Sequence, residues 1–177
     1  MENLLSVPIK DDIYFIGTND RKTELFEGMW PLPKGVAYNS YVLKGEKNIL
    51  FDLVRVNTID DYIQKINEII GENEKIDYIV INHMEPDHTS SIKTILDIYP
   101  DAKLVTNKKA VAMLKNFYEV TDNIIEVKEG ETVELGNRKL TFYMTPMVHW
   151  PEVMVSFDST NGVLFSADAF GTFGALN

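Results

Sequence analysis

The chain has 177 residues, enough for one domain with a hydrophobic core of its own. It contains no cysteine, which excludes disulfides, thiolate zinc sites, Cys-ligated iron–sulfur clusters and a Cys nucleophile, so any metal must be held by His, Asp and Glu. Asp and Glu outnumber Lys and Arg 27 to 17, a formal net charge of −10, so neither nucleic acid nor an anionic membrane is an expected partner.

The first residues, Met1 to Pro8, have neither a basic stretch nor a long apolar one. No apolar run approaches the roughly 18 residues of a membrane span. The expectation is a cytoplasmic protein without a signal peptide. Ile13 to Ile16 is β-branched and aromatic and reads as a strand. Phe26 to Gly35, with Trp30-Pro31-Leu32-Pro33 inside it, reads as a loop broken by proline and glycine. Tyr38–Leu43 and Asn48–Leu53 flank Lys44-Gly45-Glu46-Lys47 and predict a hairpin. Ile59, Tyr62, Ile63, Ile66, Ile69 and Ile70 recur at helical spacing, and Gly71 closes that helix.

Ile76 to Ile81 is a short apolar strand that runs into Asn82-His83. Thr89 to Tyr99 reads as a helix, Lys103 to Thr106 as a strand, and Asn107 as the cap of a helix reaching about Tyr118. The helical period then stops. Ile124–Val127, Thr132–Leu135, Lys139–Met144, Val153–Phe157 and Gly162–Ala167 read as strands, with a hairpin turn at Asp158 to Gly162. Strands, then alternating helix and strand, then strands again predict layered α and β structure with helices on sheet faces. No helix follows the last strand before Asn177 to cover the final sheet.

The chemistry concentrates in His83-Met84-Glu85-Pro86-Asp87-His88. Four ligand types within six residues, just after a buried strand, suit borderline and harder divalent metals. One tight loop cannot easily place all four around a single ion, but it can serve two ions about 3.5–4 Å apart. The remaining histidine of the three in the chain, His149, follows a predicted strand, and Asp168 ends another. Asp168 is the candidate bridge, because a carboxylate has two oxygens. Taken singly, His149 and Asp168 also fit the roles of a cap or a solvated polar group. Asp52, at a strand end, reads either as an orienting partner of a ligand His or as a turn cap. Trp30 and Trp150 read as core or as pocket wall.

His-x-Glu-x-Asp-His followed by a distant His and then Asp resembles the metallo-β-lactamase superfamily, whose usual pattern is His-x-His-x-Asp-His. The glutamate at position 85 is similar to the flavodiiron proteins. Trp30-Pro31-Leu32-Pro33, Tyr38-Asn39-Ser40-Tyr41, His83 through Ser90, His149-Trp150-Pro151 and Ser166 through Gly171 carry the same likeness along the chain. The resemblance implies an α+β fold, a metallo-β-lactamase-like αββα sandwich truncated in its second half, with residues 1–177 forming one incomplete diiron domain. It implies two Fe ions, one on His83, Glu85 and His149, the other on Asp87 and His88, bridged by Asp168. It further implies reduction of dioxygen to water, of nitric oxide to nitrous oxide, or both, with electrons from FMN. The family's flavodoxin-like domain and one further ligand His have no counterpart in this sequence. FMN is therefore expected from a missing domain or another chain, with a homodimer and a rubredoxin among the implied partners. Two other readings compete: a dinuclear hydrolase of the metallo-β-lactamase type, against which Glu85 speaks, and an inactive remnant lacking one ligand.

Overall fold

The computed structural model describes residues 6–175. The readings of the first five residues and of Leu176 and Asn177 lie outside that range.

Among the described residues nineteen strands and α-helices can be followed in chain order, besides a short 3-10 helix at Val56–Thr58. Strands β1 (Val7–Lys10), β2 (Ile13–Phe15), β3 (Thr18–Asp20), β4 (Leu25–Phe26), β5 (Trp30–Pro31), β6 (Val36–Tyr38), β7 (Tyr41–Leu43) and β8 (Ile49–Phe51) come first. Helix α1 (Ile59–Ile70), β9 (Tyr78–Val80), α2 (Pro86–Thr89), α3 (Ile92–Ile98), β10 (Lys103–Asn107), α4 (Lys108–Tyr118) and β11 (Ile124–Val127) follow. Strands β12 (Thr132–Leu135), β13 (Arg138–Met144), β14 (Met154–Asp158) and β15 (Val163–Phe165) complete the set.

A seven-stranded sheet runs in the order β1-β2-β7-β8-β9-β10-β11. Its first pairs are antiparallel, and β8, β9, β10 and β11 are parallel. Each parallel step needs a crossover, and α1, α3 and α4 supply one each. Crossovers of a single hand place their helices on one face of the sheet. The burial bears this out: Tyr62, Ile66, Ile92, Ile95, Ala110 and Leu114 share one core with Leu50, Ile79 and Leu104.

Alternate residues of the same strands, Ile49, Phe51, Val80 and Val105, point the other way. There they meet Leu140, Phe142, Met154 and Phe165 of a four-stranded antiparallel sheet, β12-β13-β14-β15. Phe51 stacks on Phe165 across the interface, with ring centroids 3.6 Å apart. A strand buried on both faces reads as a continuous apolar run, which is why Ile49-Leu50-Phe51 and Tyr78-Ile79-Val80 show no alternation. The order is therefore helices, sheet, sheet. Among the described residues no helix covers the outer face of the second sheet, where Tyr143 and Leu164 are exposed. The metallo-β-lactamase-like architecture expected from the motifs is thus present, with three of its four layers.

Several local readings need correction. Tyr38 does not extend β7; it ends β6, which pairs with β3 in a separate two-stranded sheet, and Asn39-Ser40 separate the two strands. The predicted loop from Phe26 holds a small hairpin, β4 against β5, whose turn uses positive φ at Glu27 and Gly28. The ligand segment is partly helical, because Pro86 sits at the first position of α2, where its missing N–H costs nothing. The helix predicted from Thr89 begins only at Ile92. β15 ends at Phe165, so Asp168 lies in a turn three residues beyond the strand rather than at its end. By contrast α1 stops at Gly71 (φ 107°) as read, and the Asn107 side chain caps α4 by accepting from the backbone N–H groups of Lys109 and Ala110.

Candidate metal centre

The parallel strands β8, β9 and β10 end on one edge, the position where open α/β sheets place ligand sites. Asp52, the 82–88 segment and Asn107 leave those three ends. From the facing sheet, the turn between β13 and β14 brings His149, and the turn after β15 brings Asp168. Six candidate ligands thus converge from three chain segments.

Four of them form a tight cluster. His83 Nε2 lies 3.1 Å from Glu85 Oε2, 3.3 Å from His149 Nε2 and 3.5 Å from Asp168 Oδ2. His149 Nε2 lies 2.8 Å from Glu85 Oε2 and 3.3 Å from Asp168 Oδ2. A tetrahedron of ligands ~2.1 Å from a central ion has edges of about 3.4 Å, so these separations suit one divalent cation. The second group uses the other oxygen of Asp168. Its Oδ1 lies 2.8 Å from His88 Nε2, which is 3.7 Å from Asp87 Oδ2. Within each group the donor atoms lie no more than 4.8 Å apart. The Asp87 Oδ1 atom is buried without a hydrogen-bond partner, as a cation ligand would be before the cation arrives.

The electrostatics point the same way. Burial alone pushes the His83 imidazole down, but the Glu152 and Glu85 carboxylates hold it up, at about 9. His88 is also disfavoured by burial, yet Asp87, Asp168 and Asp52 raise it well above the ordinary histidine value. Burial lifts the Asp87 carboxyl, helped by Asp168 and Glu85 against the pull of His88, to about 6. Asp168 resists burial through its hydrogen bond to His88 and the charges of the three imidazoles, and falls to about 2. Three carboxylates this close demand compensating positive charge, which protons on the imidazoles supply and a cation would supply instead.

The surroundings fix this geometry. Asp52 Oδ1 accepts from the backbone N–H of Asn82 (2.8 Å) and of His83 (3.3 Å), while its Oδ2 stands 3.8 Å from His88 Nδ1. Asp52 therefore orients the ligand segment mainly through its backbone. The backbone N–H of His88 donates to the Glu85 carbonyl (2.9 Å), closing the α2 turn. Trp150 packs edge-on against His83, with centroids 5.4 Å apart. Trp30 lines the wall of a cavity of about 600 Å³ that opens onto Glu85, Asp87, His149 and Asp168. Phe26, Met29, Val36 and Phe173 line the same cavity, so its walls are largely apolar.

One neighbour has no signal in the sequence that local reasoning uses. Glu152, fully buried in the turn two residues before β14, places Oε1 2.8 Å from His83 Nδ1. Burial pushes its carboxyl up, but His83 and the Met84 N–H bring it below the ordinary value. The only available hint was its position three residues after His149, one of the candidate ligands.

Residues 36–176 match the protein family described as ODP family beta lactamase. This chain belongs to that family. Its flavodiiron resemblance extends to individual relatives. It is 32% identical over 168 residues to a flavo-diiron protein of Clostridium acetobutylicum, covering 94% of this chain and 42% of that protein. It is 35% identical to an anaerobic nitric oxide reductase flavorubredoxin of Salmonella arizonae, covering 94% of this chain and 35% of the relative. Among solved structures, rubredoxin:oxygen oxidoreductase of Desulfovibrio gigas superposes with a TM-score of 0.91 at 34% identity, over 97% of this chain and 43% of that one. The chain thus spans less than half the length of these relatives. The four-stranded sheet with its open outer face is part of the matched region. No helix among the described residues is long and apolar enough to cross a membrane.

Proposed function

We propose that residues 1–177 form the diiron-binding domain of a flavodiiron-type oxidoreductase that reduces dioxygen to water, nitric oxide to nitrous oxide, or both. The observation that carries this reading is the division of Asp168: one oxygen faces His83, Glu85 and His149, the other faces His88 and Asp87. A bridging carboxylate between two donor groups is what a two-metal centre requires. Glu85 adds a hard anionic donor where hydrolases of the superfamily carry His, which favours iron over zinc.

Bound iron would supply the redox-active centre at which the small substrate is reduced. The chain's own residues hold it and shape access to it. His83, Glu85 and His149 would hold the first ion, Asp87 and His88 the second, and Asp168 would contribute to both. The largely apolar walls around the carboxylates suit a small, weakly polar molecule such as O2 or NO. Reduction of O2 to two waters takes four electrons and four protons; coupling of two NO to nitrous oxide and water takes two of each. Those electrons are proposed to come from FMN on another domain or chain, with a homodimer or a rubredoxin as the partner. Hydrolysis is the competing chemistry of a dinuclear centre, and turnover of a lactam or thioester without reductant would favour it.

Anaerobic loading with Fe(II) followed by metal analysis tests the reading. The expected result is two irons per chain and a change in absorption on exposure to O2 or NO. Less than one iron per chain, or zinc retained in place of iron, would overturn it.

A further inference from the structure

Resting on that metal-site reading, we infer that Glu152 is a positioning residue that sets which nitrogen of His83 faces the metal. Its Oε1 lies 2.8 Å from His83 Nδ1, and both side chains are fully buried. A carboxylate can only accept, so Nδ1 carries the proton of that hydrogen bond. Nε2 is then the nitrogen that faces Glu85, His149 and Asp168, and the one that gives up its proton to a metal there. The same Oε1 accepts from the backbone N–H of Met84 at 2.9 Å, so one atom fixes both the ring and the segment that bears it. The Glu152 backbone is held in turn: its carbonyl accepts from Asn107 Nδ2 at 2.6 Å, and Asn107 caps α4. Strand β14 is anchored to the ligand segment a second time, where the Met154 N–H donates to the Asn82 carbonyl at 3.0 Å. A buried, doubly anchored carboxylate behind a ligand imidazole selects its tautomer and restrains its rotation.

A role limited to stapling the loop through Met84 would not depend on the state of the His83 ring, and this separates the two accounts. In the metal-free chain, nitrogen-15 NMR of the imidazoles is expected to give a slowly exchanging Nδ1–H signal from His83. It should persist in Glu152→Gln, whose amide oxygen still accepts, and disappear in Glu152→Leu. A freely exchanging Nδ1–H in the unsubstituted chain would overturn the inference, whether or not either variant folds. Titration with Co(II) gives the consequence. Glu152→Leu should bind about 10–100-fold more weakly and Glu152→Gln within about threefold of the parent. Equal affinity in Glu152→Leu and the parent, with folding intact by circular dichroism, would also overturn it. Should the parent take up no Co(II) while the Nδ1–H signal behaves as stated, the metal reading falls and the control of the ring by Glu152 stands.

Discussion

The two halves of the centre are built from the same segment but to different standards. His83 has three donor-group neighbours arranged about its Nε2 and a buried acceptor 2.8 Å behind its Nδ1. His88 has Asp168 at 2.8 Å on one side, but its Nδ1 is buried without a hydrogen bond, the nearest carboxylate standing 3.8 Å away. Asp87 likewise keeps an unpartnered oxygen. The first half offers four protein donors and the second three. Preorganisation is thus concentrated where β14 packs against the ligand segment, and the difference shows that adjacency in sequence does not give two ligands equal support.

The comparison makes ordered expectations for substitutions. Asp168→Ala removes the one residue common to both halves, so metal content should fall from two to below one per chain; unchanged content by elemental analysis would break the two-half description. Asp87→Asn should spare the first half and empty the second, leaving about one metal per chain. Loss of both would show that the halves fill only together.

Acidity sharpens the contrast between the metal-free and loaded states. His83 is raised to about 9 in the metal-free chain. A raised imidazole contributes stability that is fully present below its unfolded value of about 6.5 and lost as pH rises through its folded value. The thermal midpoint of the metal-free chain should therefore fall by several degrees between pH 7 and pH 9.5. Metal on His83 replaces that proton, so the loaded chain should lack this fall; parallel curves for the two forms would contradict the assignment of His83.

The smallest effect is expected away from the centre. Asp20, buried at the end of β3, accepts from the backbone N–H of Lys22 and Thr23 and from Thr23 Oγ1, Tyr38 OH and Asn57 Nδ2. These bonds hold its carboxyl well below the usual range despite burial. Asp20→Ala should cost about 1–3 kcal/mol in urea unfolding and leave metal content unchanged. Metal loss without destabilisation would show that the Asp20 network belongs to the centre.

Much of this was legible locally. Helix α1 follows from apolar residues at helical spacing and a glycine stop, α4 from Asn107, and the β14–β15 hairpin from the turn at Asp158 to Gly162, whose Asp158 side chain accepts from the Thr160 N–H. Each depends on contacts within a few residues, which a sequence pattern records. The six candidate ligands were legible for another reason: residue chemistry restricts what can hold a metal, and three histidines in a cysteine-free chain leave few choices.

The pairing of β3 with β6, the helical turn inside the ligand segment and the turn that carries Asp168 were not legible, because packing overrides weak local preferences in short segments. The sequence by itself determined the donor types, their order along the chain and the helices that cover one sheet face. Only the tertiary structure decided that Asp168 offers one oxygen to each half, that His88 meets it across 80 residues, and that Glu152 stands behind His83 across 69. Those distances are set by two sheets packing face to face, and no local period encodes how their edges meet.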